Sequence, residues 1–136
     1  MTVLALDYGS RRTGVAVSDP SETLARPLEA VRRVGAPAGM AALLAIVERE
    51  RPTLILVGLP RTPSGASGRQ AQATESFIGR LRSTCPIPIQ TEDERFTTKL
   101  AERVASRWTM SSTDSRAAAV LLQGFLDARA GRAASS

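Results

Sequence analysis

Apolar and polar positions alternate along Thr2–Tyr8, with Leu4 and Leu6 on one face and Val3, Ala5 and Asp7 on the other, as in a β-strand. The chain then turns through Gly9 into a second apolar stretch, Thr13–Ser18, predicted to pair back as a hairpin. Leu28–Val34 predicts a third, more exposed strand. Pro37 suits the start of a helix, and Met40, Leu43, Leu44 and Val47 follow a helical stripe that ends before Pro52. Leu54–Val57 is a continuous apolar run, as expected of a parallel strand covered on both faces. Gly58–Gly68 holds two Pro, three Gly and two Ser, and reads as a loop and the best candidate for a mobile segment.

A second helix over Gln70–Ser83 turns Thr74, Phe77, Ile78 and Leu81 inward. Ile87–Glu92 reads as an edge or irregular strand because of its prolines. A third helix from Thr97 aligns Leu100, Ala101, Val104, Ala105 and Trp108, and Met110–Thr113 links it to a last helix, Asp114–Ala128. From Gly131 the Ala- and Ser-rich tail is expected to fray. A hairpin-rich start followed by βαβ crossovers implies an α/β fold, a mixed five-stranded sheet with helices on both faces. The expectation is one domain over residues 1–130 and a flexible tail over 131–136, with no repeats.

Three acids occupy unusual places in this pattern. Asp7 ends an apolar strand, where a carboxylate is costly unless a cation or hydrogen-bond donors compensate it. Asp114 opens the last helix on the stripe of Ala117, Ala118, Leu121, Leu122 and Phe125, so it points toward the sheet. A helix-start acid is also favoured by capping and the macrodipole, but neither requires the apolar stripe. The third lies in Glu92-Asp93-Glu94-Arg95 at a strand end, and alternation alone leaves open which of Glu92, Asp93 or Glu94 turns inward. A solvated charge cluster explains that run equally well. Acids at two strand ends and a helix start can converge on one point. Such an oxygen-only site selects Mg²⁺ or Mn²⁺. Two such ions about 4 Å apart can activate water on one side and stabilise a leaving oxygen on the other.

Composition narrows the chemistry. The 136-residue chain has no histidine, which excludes Ser-His-Asp hydrolysis, Cys-His proteolysis, imidazole zinc sites and His-dependent nucleases. A general base must then be a carboxylate or a metal-activated water. The lone Cys85 supports neither an internal disulfide nor a zinc cluster. No apolar run is long enough to span a bilayer and no signal-peptide pattern opens the chain, so a cytoplasmic location is expected. The net charge of +5 favours polyanions, and 17 of the 18 basic residues are Arg, whose fork matches phosphate. A GC-rich genome accounts for the Arg bias equally well. Basicity supports nucleic acid without proving it.

Leu6-Asp7-Tyr8-Gly9-Ser10-Arg11-Arg12-Thr13-Gly14-Val15-Ala16-Val17-Ser18-Asp19 resembles the opening motif of the YqgF/RuvX family. Val57-Gly58-Leu59-Pro60, Asp93-Glu94-Arg95-Phe96-Thr97-Thr98 and Asp114-Ser115-Arg116-Ala117-Ala118 resemble its other signatures, in order, so the likeness spans Val3 to Asp127. The resemblance implies a ribonuclease H-like three-layer fold. Family members are described as Holliday junction resolvases and as nucleases that process the 5′ end of the 16S ribosomal RNA precursor. It further implies that Asp7, Glu94 and Asp114 are catalytic metal ligands. Phe96 stands where Leu is commonest and Ser115 where Lys or Arg is frequent. Arg61-Thr62-Pro63-Ser64 replaces a Leu-Asn-Met-Asp type sequence, so substrate contacts there are expected to differ. Arg11, Arg12, Arg61 and Arg95, expected to be adjacent to the proposed site, are the candidate phosphate contacts.

Four functions compete. A metal-dependent nuclease acting on RNA leads, followed by a junction resolvase acting on branched DNA, which needs two sites in a symmetric dimer. The chain shows no long basic or aromatic arm for a four-way junction, and monomer or homodimer both stay open. An Asp-x-Gly-Ser turn also resembles phosphate-binding turns of sugar kinases and actin-like ATPases, but those proteins need two such domains. A non-catalytic nucleic-acid adaptor follows if the acids do not converge.

Overall fold

A computed structural model of the chain describes residues 2–59, 68–93 and 113–134. Its described elements run β1 (Val3–Asp7), β2 (Arg12–Ser18), β3 (Ala25–Pro27), β4 (Val31–Arg32), α1 (Pro37–Glu50), β5 (Leu54–Leu59), α2 (Gly68–Thr84), β6 (Ile89–Asp93) and α3 (Thr113–Ala134). The sheet has six strands in the order β3-β2-β1-β5-β6, with β4 paired to β2 beside β3. β1 and β2 are antiparallel, whereas β1, β5 and β6 run parallel. The sheet is therefore mixed, as its hairpin start and βα crossovers predict.

Alternation along β1 sends its residues into two separate cores. Leu4 and Leu6 pack with Val15, Val17, Ile55 and Val57 against α1 and α2, which contribute Leu43, Ile46, Phe77 and Leu81. Val3 and Ala5 pack with Ala16 and Leu56 against α3, through Ala118, Leu122 and Phe125. Helices on both faces make three layers. Each fully buried Leu or Phe stabilises the fold by about 1.5–3 kcal/mol relative to exposure, so both cores are substantial.

The two amphipathic helices bury the stripes their periodicity predicts. Thr74, Phe77, Ile78 and Leu81 are all buried in α2, and Leu43 and Val47 in α1, where Ile46 joins them. Helix α3 differs. It is buried nearly all round from Ala118 to Leu126, while Ala117, expected inward, is exposed. It also runs to Ala134, past the expected end at Ala128, so the segment from Gly131 expected to fray is helical there. Its Ala and Arg favour helix strongly enough to carry Gly124 and Gly131, each of which costs only about 1 kcal/mol.

The third predicted strand, Leu28–Val34, shrinks to β4 at Val31–Arg32. A further short strand, β3, precedes it at Ala25–Pro27, which brings the sheet to six strands instead of the expected five. Ala16 pairs with Pro27 and Thr13 with Val31, so β2 advances three residues while its partner advances four. One extra residue cannot be absorbed without a bulge, and the ladder breaks. Gln123, buried in α3, secures this edge. Its Oε1 accepts the Ala25 N–H at 2.9 Å and its Nε2 donates to the Thr23 carbonyl at 2.9 Å. The helix predicted from Thr97, the linker at Met110–Ser112 and most of the Gly58–Gly68 loop lie outside the described residues. At that loop's ends, Gly58 and Leu59 belong to β5 and Gly68 opens α2.

Candidate active site

Asp7 is the last residue of β1, half-buried, on the α3 face shared by Val3 and Ala5. Its antiparallel partner is Gly14. On its other side, Leu6 pairs with Val57, and one further step of that register sets Asp7 beside Gly58. Leu56 packs against α3, so alternation puts Gly58 on the same face, and Gly58 in turn pairs with Glu92. A carboxylate thus stands between two residues without side chains. Neither neighbouring strand places a side chain beside Asp7, although Gly14 and Gly58 are themselves buried.

Helix α3 begins over this end of the sheet. Ser115 is fully buried, and its Oγ accepts the Val15 N–H at 3.3 Å. Val15 pairs with Leu6, the residue before Asp7. The first turn of α3, which holds Asp114 as its second residue, is therefore tied to the strand position next to Asp7. Val15 needs this acceptor because of the broken ladder. Its carbonyl accepts the Leu28 N–H at 2.8 Å on the β3 side, and its N–H leaves the strand on that same side. The first turn of a helix also carries unpaired N–H groups and a partial positive charge, which favour anionic groups nearby.

Tyr8, the next residue of the opening motif, turns the other way. Its ring stacks on Phe77 of α2 with centroids 4.9 Å apart, anchoring the end of β1 from behind. Gly9 follows because the turn demands it. A Cβ there would collide with the Arg12 carbonyl oxygen, so the tight return into β2 excludes a larger residue.

The predicted site residues divide into three groups. Asp7 lies at the end of β1, the strand end expected of it. Asp114 is placed through its backbone alone, and Glu94, Arg61 and Arg95 lie outside the described residues. Among the described residues, no three His, Cys, Asp or Glu side chains gather closely enough to hold a metal ion. Arg11 and Arg12 are exposed, and they do not stand alone. Together with Arg32 and Arg33 they line an open groove of about 510 Å³. Sequence reasoning missed Arg32 and Arg33. Their only local signal is a second Arg-Arg pair, and the register that joins the pairs is non-local.

Asp19, also within the opening motif, belongs to a turn. Its carboxylate accepts the Leu24 N–H at 3.0 Å, the Ser21 hydroxyl at 2.7 Å and the Thr23 N–H at 2.7 Å. Those bonds, with the Leu24 N–H foremost, hold its pKa below the ordinary carboxylate value. Glu29 is likewise lowered, first by its own backbone N–H and then by Arg49, whose guanidinium is 2.9 Å away.

The Holliday junction resolvase family model named RuvX matches residues 1–128. The chain belongs to the RuvX family. Among curated RuvX relatives, a Roseiflexus protein named "Putative pre-16S rRNA nuclease" is 39% identical over 133 residues, covering 93% of this chain and 94% of that protein. A Symbiobacterium thermophilum protein of the same name is 38% identical over 138 residues, covering 97% and 96%. Among solved structures, Thermus thermophilus RuvC in complex with a Holliday junction substrate superposes with a TM-score of 0.64 at 18% identity, covering 96% of each chain. That likeness establishes the ribonuclease H-like fold. Among the described residues no helix is long and apolar enough to cross a membrane.

Proposed function

We propose that this RuvX protein is a metal-dependent nuclease that hydrolyses RNA phosphodiester bonds and processes the 5′ end of the 16S ribosomal RNA precursor. The observation that carries the reading is Asp7 at the end of β1, set between Gly14 and Gly58, with the first turn of α3 tied to the adjoining strand through Ser115. The names of the relatives supply the substrate.

In this reading Asp7, Glu94 and Asp114 hold Mg²⁺ or Mn²⁺. The fit rests on donor chemistry, since carboxylate oxygens are hard ligands and the chain contains no histidine and a single, buried cysteine. Such ions, when bound, stabilise charge on the phosphoryl group and lower the pKa of the attacking water. The remaining work falls to the chain. Asp7 and Asp114 come from rigid elements tied together by Ser115, which holds their separation fixed. Period-2 alternation runs from Ile89, which packs toward α1 and α2, to Glu92 on the α3 side. Glu94 is taken as the third ligand on the strength of the Asp93-Glu94-Arg95-Phe96-Thr97-Thr98 motif alone. Arg11, Arg12, Arg61 and Arg95 contact substrate phosphates.

The family description favours a second reading, a junction resolvase using the same acids. Parallel cleavage assays with precursor 16S RNA and a four-way DNA junction, each with Mg²⁺ or Mn²⁺, decide between them. The RNA reading expects cleavage of the precursor by the wild type and none by Asp7→Asn. Junction cleavage with intact RNA would replace it with the resolvase.

A further inference from the structure

The groove lined by Arg11, Arg12, Arg32 and Arg33 lies along the strand that carries Gly14, the partner of Asp7. Arg12 is two residues from Gly14, about 7 Å along β2. Arg12 and Arg32 are cross-strand partners, so two like charges stand directly opposite each other. That arrangement opposes folding unless something anionic relieves it. Among the described residues none of the four is ion-paired, a state they share with Arg51, Arg80, Arg82 and Arg116, whereas Arg26, Arg49 and Arg129 are paired.

The backbone that carries the four side chains is also held in place. The Arg33 N–H donates to the Arg11 carbonyl at 2.9 Å, binding the two Arg-Arg loops together. Arg33 adopts a φ of 46°, which few non-glycine residues do. Beneath it Gly39 opens space, since a Cβ there would collide with the Arg33 carbonyl. A cluster of uncompensated guanidiniums on a strained, locked backbone is a preorganised anion surface.

We infer that this groove is an exosite for the phosphate backbone of a double-helical nucleic-acid segment flanking the bond cleaved at Asp7. The inference rests on the nuclease reading above for its position, and adds Arg32, Arg33 and the form of the substrate. Single-strand binding needs aromatic platforms on which bases stack. Among the described residues Tyr8 and Phe77 are engaged with each other, and Leu24 is the one large hydrophobic residue that is exposed. Among the described residues the groove offers charge and forked donors without stacking surfaces, which suits a helix read through its backbone and shape.

The test is equilibrium binding of the full chain carrying Asp7→Asn, in EDTA, across a KCl series. The probes are an RNA duplex, a DNA duplex of the same sequence, and one of the RNA strands alone. Each phosphate contact contributes about 0.9 to the slope of log affinity against log salt on a duplex. Arg32→Gln with Arg33→Gln should therefore lower the duplex slope by about two, on RNA and DNA alike, with a smaller change on the single strand. Arg26→Gln, a charge loss on β3, should leave the slope as it was. Arg32→Lys with Arg33→Lys should keep most of the slope. Should the double Gln variant fail to fold by thermal melting, Arg12→Gln alone should lower the slope by about one. An unchanged slope, an equal loss in Arg26→Gln, or an equal loss on single strand and duplex would each overturn the exosite. Because no turnover is required, a protein that binds through the groove but cleaves nothing defeats only the nuclease reading.

Discussion

Ser115 Oγ accepts the buried Val15 N–H, and this one bond joins the start of α3 to the strand position beside Asp7. It links a residue near the end of the chain to the opening hairpin, a hundred positions earlier. Ser115→Ala leaves that N–H buried without its acceptor, which costs about 1–3 kcal/mol. Urea unfolding should show a loss of that size. Under the proposed mechanism turnover should fall more than substrate affinity, since the acid on α3 shifts relative to Asp7. An unchanged midpoint would mean that water replaces the hydroxyl and that the bond does not position the helix.

Gly58→Ala tests the missing side chain beside Asp7. The added methyl stands on the α3 face between Asp7 and Glu92, in the space the nuclease reading gives to ions and substrate. Misplacing reacting groups by about 1 Å costs up to roughly a hundredfold in rate, so cleavage should fall at least about tenfold in protein that circular dichroism shows to be folded. Full activity would show that nothing approaches the sheet at this point.

Legibility from sequence followed periodicity. Phe77, Ile78 and Leu81 could be placed because α2 is amphipathic, and Leu4 and Leu6 because β1 alternates. Helix α3 is buried nearly all round, so its period points weakly, and Ala117 was assigned inward when it is exposed. The break between β3 and β4 depends on how β2 counts against its partner, which no local pattern contains. The site divides the same way. Asp7 is marked by its cost at an apolar strand end. Arg32 and Arg33 gain meaning only once pairing with β2 sets them beside Arg11 and Arg12.

The turn held by Asp19 makes part of the stability depend on pH. Its folded pKa is lowered, chiefly by the Leu24 N–H, so the ionised form is the one the fold favours. The contribution is fully present above the unfolded carboxylate value of about 3.9 and is lost as pH falls through the depressed folded value. Glu29 acts in the same direction. Thermal melts from pH 6 downward should show Asp19→Ala less stable than the wild type at pH 6, with the gap closing below about pH 4. A gap that stays constant with pH would assign the role of Asp19 to packing instead of charge.

Asp7→Asn is the most direct test of the proposed chemistry. It replaces a carboxylate by an amide of nearly the same size at a half-buried strand end, so the fold and nucleic-acid binding should survive. Under the proposed mechanism Asp7, Glu94 and Asp114 converge, and three such carboxylates would repel one another unless a cation or a proton intervened. Mg²⁺ or Mn²⁺ should therefore raise the thermal midpoint of the wild type, and raise that of Asp7→Asn by less. Removing the ions with EDTA should abolish cleavage, and restoring either should recover it. Turnover of Asp7→Asn should fall on the order of a hundredfold or more, as expected when one anchor of transition-state charge stabilisation is lost. A thermal shift equal in both proteins would move the cation away from Asp7. Full cleavage in EDTA, or a fully active Asp7→Asn protein, would sink the metal-dependent mechanism itself.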